Sequence, residues 1–565
     1  MIKRPILSLY VCLLSLFSYG QNPVPPLDIP LKLSGTFGEF RPTHFHAGLD
    51  IKTQGKEGFD VKSIKAGSIR RIRVSTSGYG KCVYIQHADG TTTVYAHLQK
   101  FAPKIQAFIK ALQYEKEVFE IQQFPSLGEI EVEKGEVIGY SGNTGGSFGP
   151  HLHFEIRDTQ AETPLNPLHL GFEVPDSIRP NIQGIYRYSM VDKKHGEKTE
   201  IPLTRINDSV YSANILKLGG DYGFGVRLFD RQDLSYNRNG IYHAELRVNG
   251  SLKFSYTFDK IDFSDGKKID ALIDYSTYKK ERVRIQKFFR NYDVEYSFLT
   301  KSSPNGIIHF EKNRSYKVEL IVQDFEKNTS YVNFYVEGVR GSKPKEIPIL
   351  NEILPSKDYL YEFPIYHVYI PQETFYEPVN LSVNTKADTL IIGDVNSPQN
   401  KGFELSVYPN KKNDSLSHTQ LTLALFDPEE KKEEDRLRYV STLKKDIMLF
   451  TKFASPGTYV LTKDSLPPTI KPLNFKEEQW VSNYKFLQLE IDDDFSGIKS
   501  YHATINDRWV LFEYEPKDNL IFYDFNDIDF DKTELDLKIE IEDNVGNKTL
   551  FTSKLFRKPT PNKNR

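Results

Sequence analysis

The sequence predicts a mainly β protein of several domains, and three observations carry that expectation. Beyond about residue 175 the chain reads as short stretches of alternating apolar and polar residues separated by turn formers, the period of half-buried strands. Two of those stretches, YKVELIVQDFEKNTSYVNF at 316–334 and LDLKIEIEDNVGNKTLFTS at 535–553, follow one plan. A single segment near the front has helical spacing instead and stands out for that reason. With 565 residues the chain is too long for one core and divides into roughly three to five domains.

The start, MIKRPILSLYVCLLSLFSYGQNPVPP, sets Lys3 and Arg4 ahead of an apolar run to about Phe17 and small or polar residues ending near Gly20. That order is a secretory signal peptide at 1–20. The run is short for a membrane span of about 20 residues, and no later window is apolar enough to serve, so no stable anchor is expected after cleavage. Export to the periplasm, the cell surface or the medium follows. Cys12 lies in the apolar run, which leaves Cys82 alone in the mature chain. Without an internal disulfide an exported chain must hold itself by burial, and 13% aromatic residues suit that task. Charged residues make up 27% of the chain yet leave a net charge of −2, so no overall field points to nucleic acid or an anionic membrane. Partners are to be sought at local sites.

Residues 21–175 form the first domain, where Gly and His crowd. Within it PKIQAFIKALQYEKEVFEIQQF at 103–124 has apolar positions at Ile105, Phe108, Ile109, Leu112, Val118 and Phe119. The spacing predicts a helix inserted over 103–124 between two hairpins and closed by Pro125. It would either pack against the sheet or a later module, or act as a lid.

In the rear, each repeated stretch alternates three apolar residues, then an Asp, then an Asn four later. These are Val318, Leu320, Val322, Asp324 and Asn328 in one, and Leu537, Ile539, Ile541, Asp543 and Asn547 in the other. A looser third copy, FGVRLFDRQDLSYN, runs from Phe224 to Asn237. Each is the pattern of a last hairpin in a β-sandwich, immunoglobulin-like module with Asp and Asn making the turn. Modules are therefore expected at 176–340 and 466–558, with a less regular β segment at 341–465 and a basic tail at 559–565. The charge run DPEEKKEEDRLR at 427–438 reads as a solvated loop or helix face. DDDFSGI at 492–498 reads as an Asp-Gly turn in preference to a calcium loop.

The chemistry is at the front. RPTHFHAGLDIKT (41–53), HADGTTTVYAHLQK (87–100) and GYSGNTGGSFGPHLHFEIRD (139–158) hold most of the informative residues. In HLHFEIR, His151, His153, Glu155 and Arg157 alternate with Leu152, Phe154 and Ile156, so one strand face is polar and the other faces a core. On a strand His46 and Asp50 also share a face, and Gly48 between them makes room for a close neighbour. Two histidines and a carboxylate match the ligand count of a catalytic zinc site, which keeps a fourth position open for water. A carboxylate offsets part of the metal charge, while imidazoles leave the metal able to lower the pKa of that water toward about 7. His44, His46, Asp50, His97, His151 and His153 are hard to account for as core residues.

HFHAGLD, VYAHL and GPHLHFEIRD together resemble the lysostaphin-type (LytM-like) zinc endopeptidases, small antiparallel β-domains that cut the cross-linking peptides of peptidoglycan. The resemblance covers residues 30–172, about a quarter of the chain, with the three motifs in the family order. It implies that His46, Asp50 and His153 hold Zn2+, and that His97 and His151 stay unligated as proton handlers and oxyanion stabilisers, with the division between them open. It also implies that GYSGNTGGSFGP lines a groove for an extended peptide and that peptidoglycan stem peptides are the substrate. His44 is expected at the surface or behind a ligand, Glu155 and Arg157 as a pair that orients the site, and His87 as structural in a hairpin turn. The helical segment after His97 departs from the family pattern. Two other functions compete with an active endopeptidase. One is a silent relative that activates another wall hydrolase; such relatives usually lack ligands or catalytic histidines, and this chain lacks none. The other is a binding or adhesion protein whose β-modules carry the function through a cell-envelope protein partner.

Overall fold

A computed structural model describes residues 23–559 apart from 192–193, 234, 291–293, 301–303, 342–350, 410–419, 433 and 447. The expected signal peptide and nearly all of the basic tail lie outside the described residues. Among those described, no helix is long and apolar enough to cross a membrane.

The front unit contains β1 (Leu33–Gly35), β2 (Leu49–Lys52), β3 (Asp60–Lys62), β4 (Gly67–Val74), β5 (Lys81–Gln86) and β6 (Thr91–Phe101). Then follow α1 (Pro103–Lys116), β7 (Ile121–Gln123), β8 (Glu131–Val132), β9 (Val137–Ser141), β10 (His151–Asp158) and β11 (Pro164–Leu165). The main sheet has the antiparallel order β1-β2-β10-β6-β5-β4-β7. Val, Ile, Thr and Tyr recur through β4 to β6, residues whose branched or aromatic side chains suit a pleated surface. β10 runs between β2 and β6, with His153 opposite Asp50 on one side and Ala96 on the other. Motifs more than 100 residues apart in the sequence thereby become neighbours in one sheet.

The helix is shorter than its sequence pattern. It stops at Lys116, where Glu117 takes a left-handed φ of 52° and caps it through a backbone bond to Gln113 O. Val118 and Phe119 are not helical, and Ile121–Gln123 become β7 on the edge of β4. The Gln113 side chain donates to Phe119 O at 2.6 Å, so the chain is tied back and the β-branched Ile121 finds a strand partner. Ile105 and Ile109 are buried in the front core. The opposite face meets the last module, with Lys110 paired to Asp527 at 2.5 Å and Tyr114 edge-on to Trp509 at 5.2 Å. It packs as a bracket between two units, not as a lid.

Residues 181–338 form two facing sheets, one of five strands around Asn181–Val191 and Gly220–Phe229, the other of seven around Ser315–Gln323 and Thr329–Gly338. Its core is continuous with that of the front unit. Phe45 meets Phe298 at 5.1 Å and Phe258 at 6.0 Å, and Asn166 donates to Phe258 O at 2.9 Å. Residues 352–463, expected as an irregular segment, are instead two five-stranded sheets and a two-stranded pair with a core of their own, so this stretch is a third module. Its strands are short and interrupted by polar turns, which hid the pairing from a local reading. Residues 469–556 form the last pair of sheets around a separate core.

Candidate metal centre

Asp50 lies on β2, but His46 does not share its strand; it precedes β2 after an isolated bridge at Phe45. The Ala47-Gly48 step turns the chain so that His46 Nε2 comes to 3.0 Å from Asp50 Oδ1. Gly48 is required there, because a Cβ would stand 2.3 Å from Phe154 O on β10. His153 Nδ1 lies 2.9 Å from the same Asp50 oxygen and 3.2 Å from His46 Nε2. His46, Asp50 and His153 are all buried, and their donor atoms form a cluster with the dimensions of a metal site.

The surroundings decide which nitrogens are free. His46 Nδ1 donates to Thr36 O at 2.8 Å, leaving the Nε2 lone pair inward. His153 Nε2 donates to Glu155 Oε1 at 2.8 Å, leaving Nδ1 inward. Asp50 keeps Oδ1 for the cluster while Oδ2 accepts from Arg41 Nη2 at 2.7 Å. Two imidazole lone pairs and one carboxylate oxygen therefore converge, each fixed by an outer partner, which is how a zinc site orients its ligands. This donor set fits Zn2+.

Charge follows the same wiring. Burial opposes ionisation of Asp50, yet His46, His151 and His153 hold its carboxyl well below the usual carboxylate range. Burial likewise works against Glu155, but the His153 hydrogen bond and the Arg157 guanidinium keep it at about 2. Arg157 Nε donates to Glu155 Oε2 at 2.6 Å, and Tyr79 OH also donates to Glu155. The Tyr79 ring stacks on His153 at 5.2 Å. Glu155 and Arg157 thus act as an orienting chain behind His153.

His97 and His151 stand beside the three donors. His151 Nδ1 donates to Gly149 O at 2.8 Å, and its Nε2 lies 3.5 Å from Asp50 Oδ1. His97 has φ 59°, rare for a residue with a side chain, at a bulge where the pairing of β6 with β5 and β9 shifts register. The bulge turns its ring toward His151, at 4.8 Å between centroids, and His97 Nδ1 donates to Thr144 O at 2.8 Å. Burial first, then His153 and His151, push His97 down to about 3, so its ring is neutral at pH 7. Both rings keep Nε2 unbonded by backbone.

His44 is exposed at the rim and outside the cluster. His87 is buried with both nitrogens engaged, to Ala66 O at 2.9 Å and Thr93 Oγ1 at 2.8 Å. Sequence reasoning missed Arg41, Tyr79 and the carbonyls of Thr36 and Thr144; the nearest local signals are Arg41 at the head of RPTHFH and Tyr79 among glycines. It also missed the walls. A cleft of about 140 Å3 beside His46 and His153 is lined on its far side by Ile261, Phe263 and Gly266 of the first module. Beyond the Gly-rich turn, a second cleft of about 380 Å3 lies between Asn143–Gly145 and Glu513–Asp518 of the last module.

Residues 44–114 and 128–167 match the family model described as Peptidase family M23. The match runs through most of α1, so the departure from the family is confined to 115–127. The chain is 34% identical over 131 residues to the DD-carboxypeptidase/endopeptidase Mpg of Neisseria meningitidis serogroup B, covering 23% of this chain and 24% of that protein. It is 33% identical over 129 residues to an uncharacterized metalloprotease of Haemophilus influenzae, covering 23% and 21%. The chain thus spans about a quarter of the length of the curated relatives it matches. The catalytic domain of lysostaphin from Staphylococcus simulans is 25% identical, covers 25% of this chain and 93% of that one, and has a TM-score of 0.20. Through its front domain this chain is similar to the peptidases of family M23.

Proposed function

We propose that the chain is an exported zinc-dependent endopeptidase that hydrolyses peptide cross-links of bacterial peptidoglycan. The observation that carries this reading is the convergence of His46 Nε2, Asp50 Oδ1 and His153 Nδ1 beside two histidines whose Nε2 atoms are reserved, in a domain of a peptidase family. Zinc held by the three donors would supply the Lewis acidity that polarises a scissile carbonyl and acidifies a water. Asp50 contributes one negative charge to the site, and Arg41 keeps its second oxygen away from it. Glu155 and Arg157 hold the His153 ring in the tautomer that leaves Nδ1 as the donor. His97 and His151, each with Nδ1–H committed to a carbonyl, offer Nε2 lone pairs that can take a proton from the attacking water and return it to the leaving amine. Once protonated, either ring donates to an oxyanion.

The two clefts on either side of the cluster suit an extended peptide, and the walls from the first and last modules restrict how a large substrate approaches. Stem peptides of peptidoglycan are the substrate class, by analogy with the M23 relatives. Digesting purified wall fragments with the zinc-loaded mature chain, with Asp50→Ala as control, and reading new termini by mass spectrometry tests it. New amine termini absent from the control are expected. No cleavage by the wild-type chain, with stimulation of a second wall hydrolase, would replace this reading with that of a silent activator.

A further inference from the structure

Outside the front site, two clusters of carboxylates, each with two members buried and one half-buried, repeat one another. Asp176, Asp230 and Asp324 offer oxygens within 4.8 Å of one another, and so do Asp464, Asp493 and Asp543. Their sequence settings correspond. Asp176 opens DSIRPNI before the first strand of one module, and Asp464 opens DSLPPTI before the first strand of the last. Asp230 and Asp493 follow the strands Gly220–Phe229 and Phe486–Asp492; Asp324 and Asp543 come at the ends of the strands Ser315–Gln323 and Glu534–Asp543. An Asn ties each cluster in the same way. Asn328 Nδ2 donates to Asp324 Oδ2 at 2.8 Å and to Asp176 O at 3.0 Å, and Asn547 Nδ2 donates to Asp543 Oδ2 at 2.7 Å and to Asp464 O at 3.1 Å.

Those hydrogen bonds account for the turns but not for the remaining oxygens. Asp230 is 2% exposed, and its Oδ1 has no hydrogen-bond partner among the described residues. Gln232 Oε1 is buried and unpartnered in the same way, and both residues line one cavity with Asp176 and Asp324. That cavity measures about 20 Å3, room for one ion or water. In the second cluster Asp464, 3% exposed, leaves Oδ2 unpartnered, and Asp493 leaves Oδ1 so. Asp493 Oδ2 accepts from Phe495 N and Gly497 N, so the Asp-Gly turn read in the sequence is present and still spares an oxygen. Among the described residues, no ion pair within 4 Å includes any of the six aspartates; Lys444, which donates to Val545 O at 3.5 Å, acts on Asp543 and Asp464 only through its longer-range charge. Three carboxylates gathered this closely, two of each set buried, repel one another and lose hydration, a cost that a bound cation removes.

We propose that the two clusters are calcium sites: Asp176, Asp230 and Asp324, with Gln232, hold one Ca2+ where the front unit joins the first module, and Asp464, Asp493 and Asp543 hold a second where the middle module joins the last. All-oxygen, carboxylate-rich donors without His or Cys select a hard cation, and their irregular arrangement suits Ca2+ better than the octahedron Mg2+ demands. In each case one ligand comes from the connecting segment and two from strand ends of the module. The ion therefore fastens the connection to the module and fixes the angle at which the chain continues.

Calorimetric titration of the zinc-loaded mature chain with CaCl2, and separately with MgCl2, tests this directly. Two Ca2+ per chain, saturating below about 1 mM as in extracellular calcium modules, are expected. Asp230→Asn should remove one and Asp493→Asn the other, with zinc content unchanged by elemental analysis. No saturable uptake by the wild-type chain up to about 10 mM would overturn the proposal without reference to any variant, as would equal binding of Mg2+. Uptake of a single ion overturns it for the cluster whose variant leaves uptake unchanged.

Discussion

Two strands of this molecule share a binary pattern and differ in what covers it. β10, HLHFEIRD, and the strand Glu534–Asp543, ELDLKIEIED, both alternate apolar with charged or polar residues. In the last module Leu535, Leu537, Ile539 and Ile541 are buried, while Asp536, Lys538 and Glu540 are in solvent. Lys538 pairs with Asp507 and Lys548 with Glu540, contacts of the exposed kind that are worth little. In β10 both faces are covered, and His153, Glu155 and Arg157 are 5%, 0% and 5% exposed. Polar groups survive such burial only when each is satisfied, and here they are joined in series from Asp50 through His153 and Glu155 to Arg157 and Tyr79. Alternation alone marks a strand; a wired polar face under cover marks a site.

The sharpest way to break this contrast is to remove a donor from the covered face. Asp50→Ala and His153→Ala should each abolish both metal binding and hydrolysis, and full zinc occupancy in both by elemental analysis would sink the ligand assignment. His97→Ala and His151→Ala should keep zinc but lose about two to four orders of magnitude in turnover, the usual worth of acid–base or oxyanion help. Parental rates in either variant would remove that residue from the chemistry. Glu155→Gln keeps the size of the side chain but weakens its hold on His153, and should lower zinc affinity about 10- to 100-fold in a chelator competition. An unchanged affinity would reduce the Glu155 chain to a packing device. On the exposed strand Glu540→Ala should shift stability by no more than about 0.5 kcal/mol in a thermal melt, with zinc content unchanged. A larger loss would show that this face, too, is covered by something in solution.

A second pair of residues draws the same line. His87 stands in the turn before β6 and His97 within that strand, and both are buried. His87 spends both nitrogens on Ala66 and Thr93, whereas His97 spends one and turns the other toward His151. The sequence separates them only through the motifs around them, HADG against VYAHL.

Much of the fold was legible because it depends on local period and composition. The polar face of β10 and the apolar stripes of the repeated hairpins follow from residues within ten positions of one another, whereas the roles expected of His46, Asp50, His97, His151 and His153 rested on three motifs and the family they resemble. What the tertiary structure alone decided depends on contacts between distant segments. His46 meets His153 across 107 positions, which no local pattern encodes. The positive φ of His97 is held by its neighbours in β5 and β9, and the helix ends at Lys116 because β4 offers β7 an edge to pair with. Residues 352–463 form a module only once strands as far apart as Val383–Lys386 and Gly457–Lys463 are brought into one sheet. Asp230, Asp324, Asp493 and Asp543 are legible in the sequence as turn formers, whereas Asp176 and Asp464 carry no such mark. That they gather in threes, with oxygens left over, is set by three strand ends meeting at one point, and a sequence states strand ends without stating where they meet.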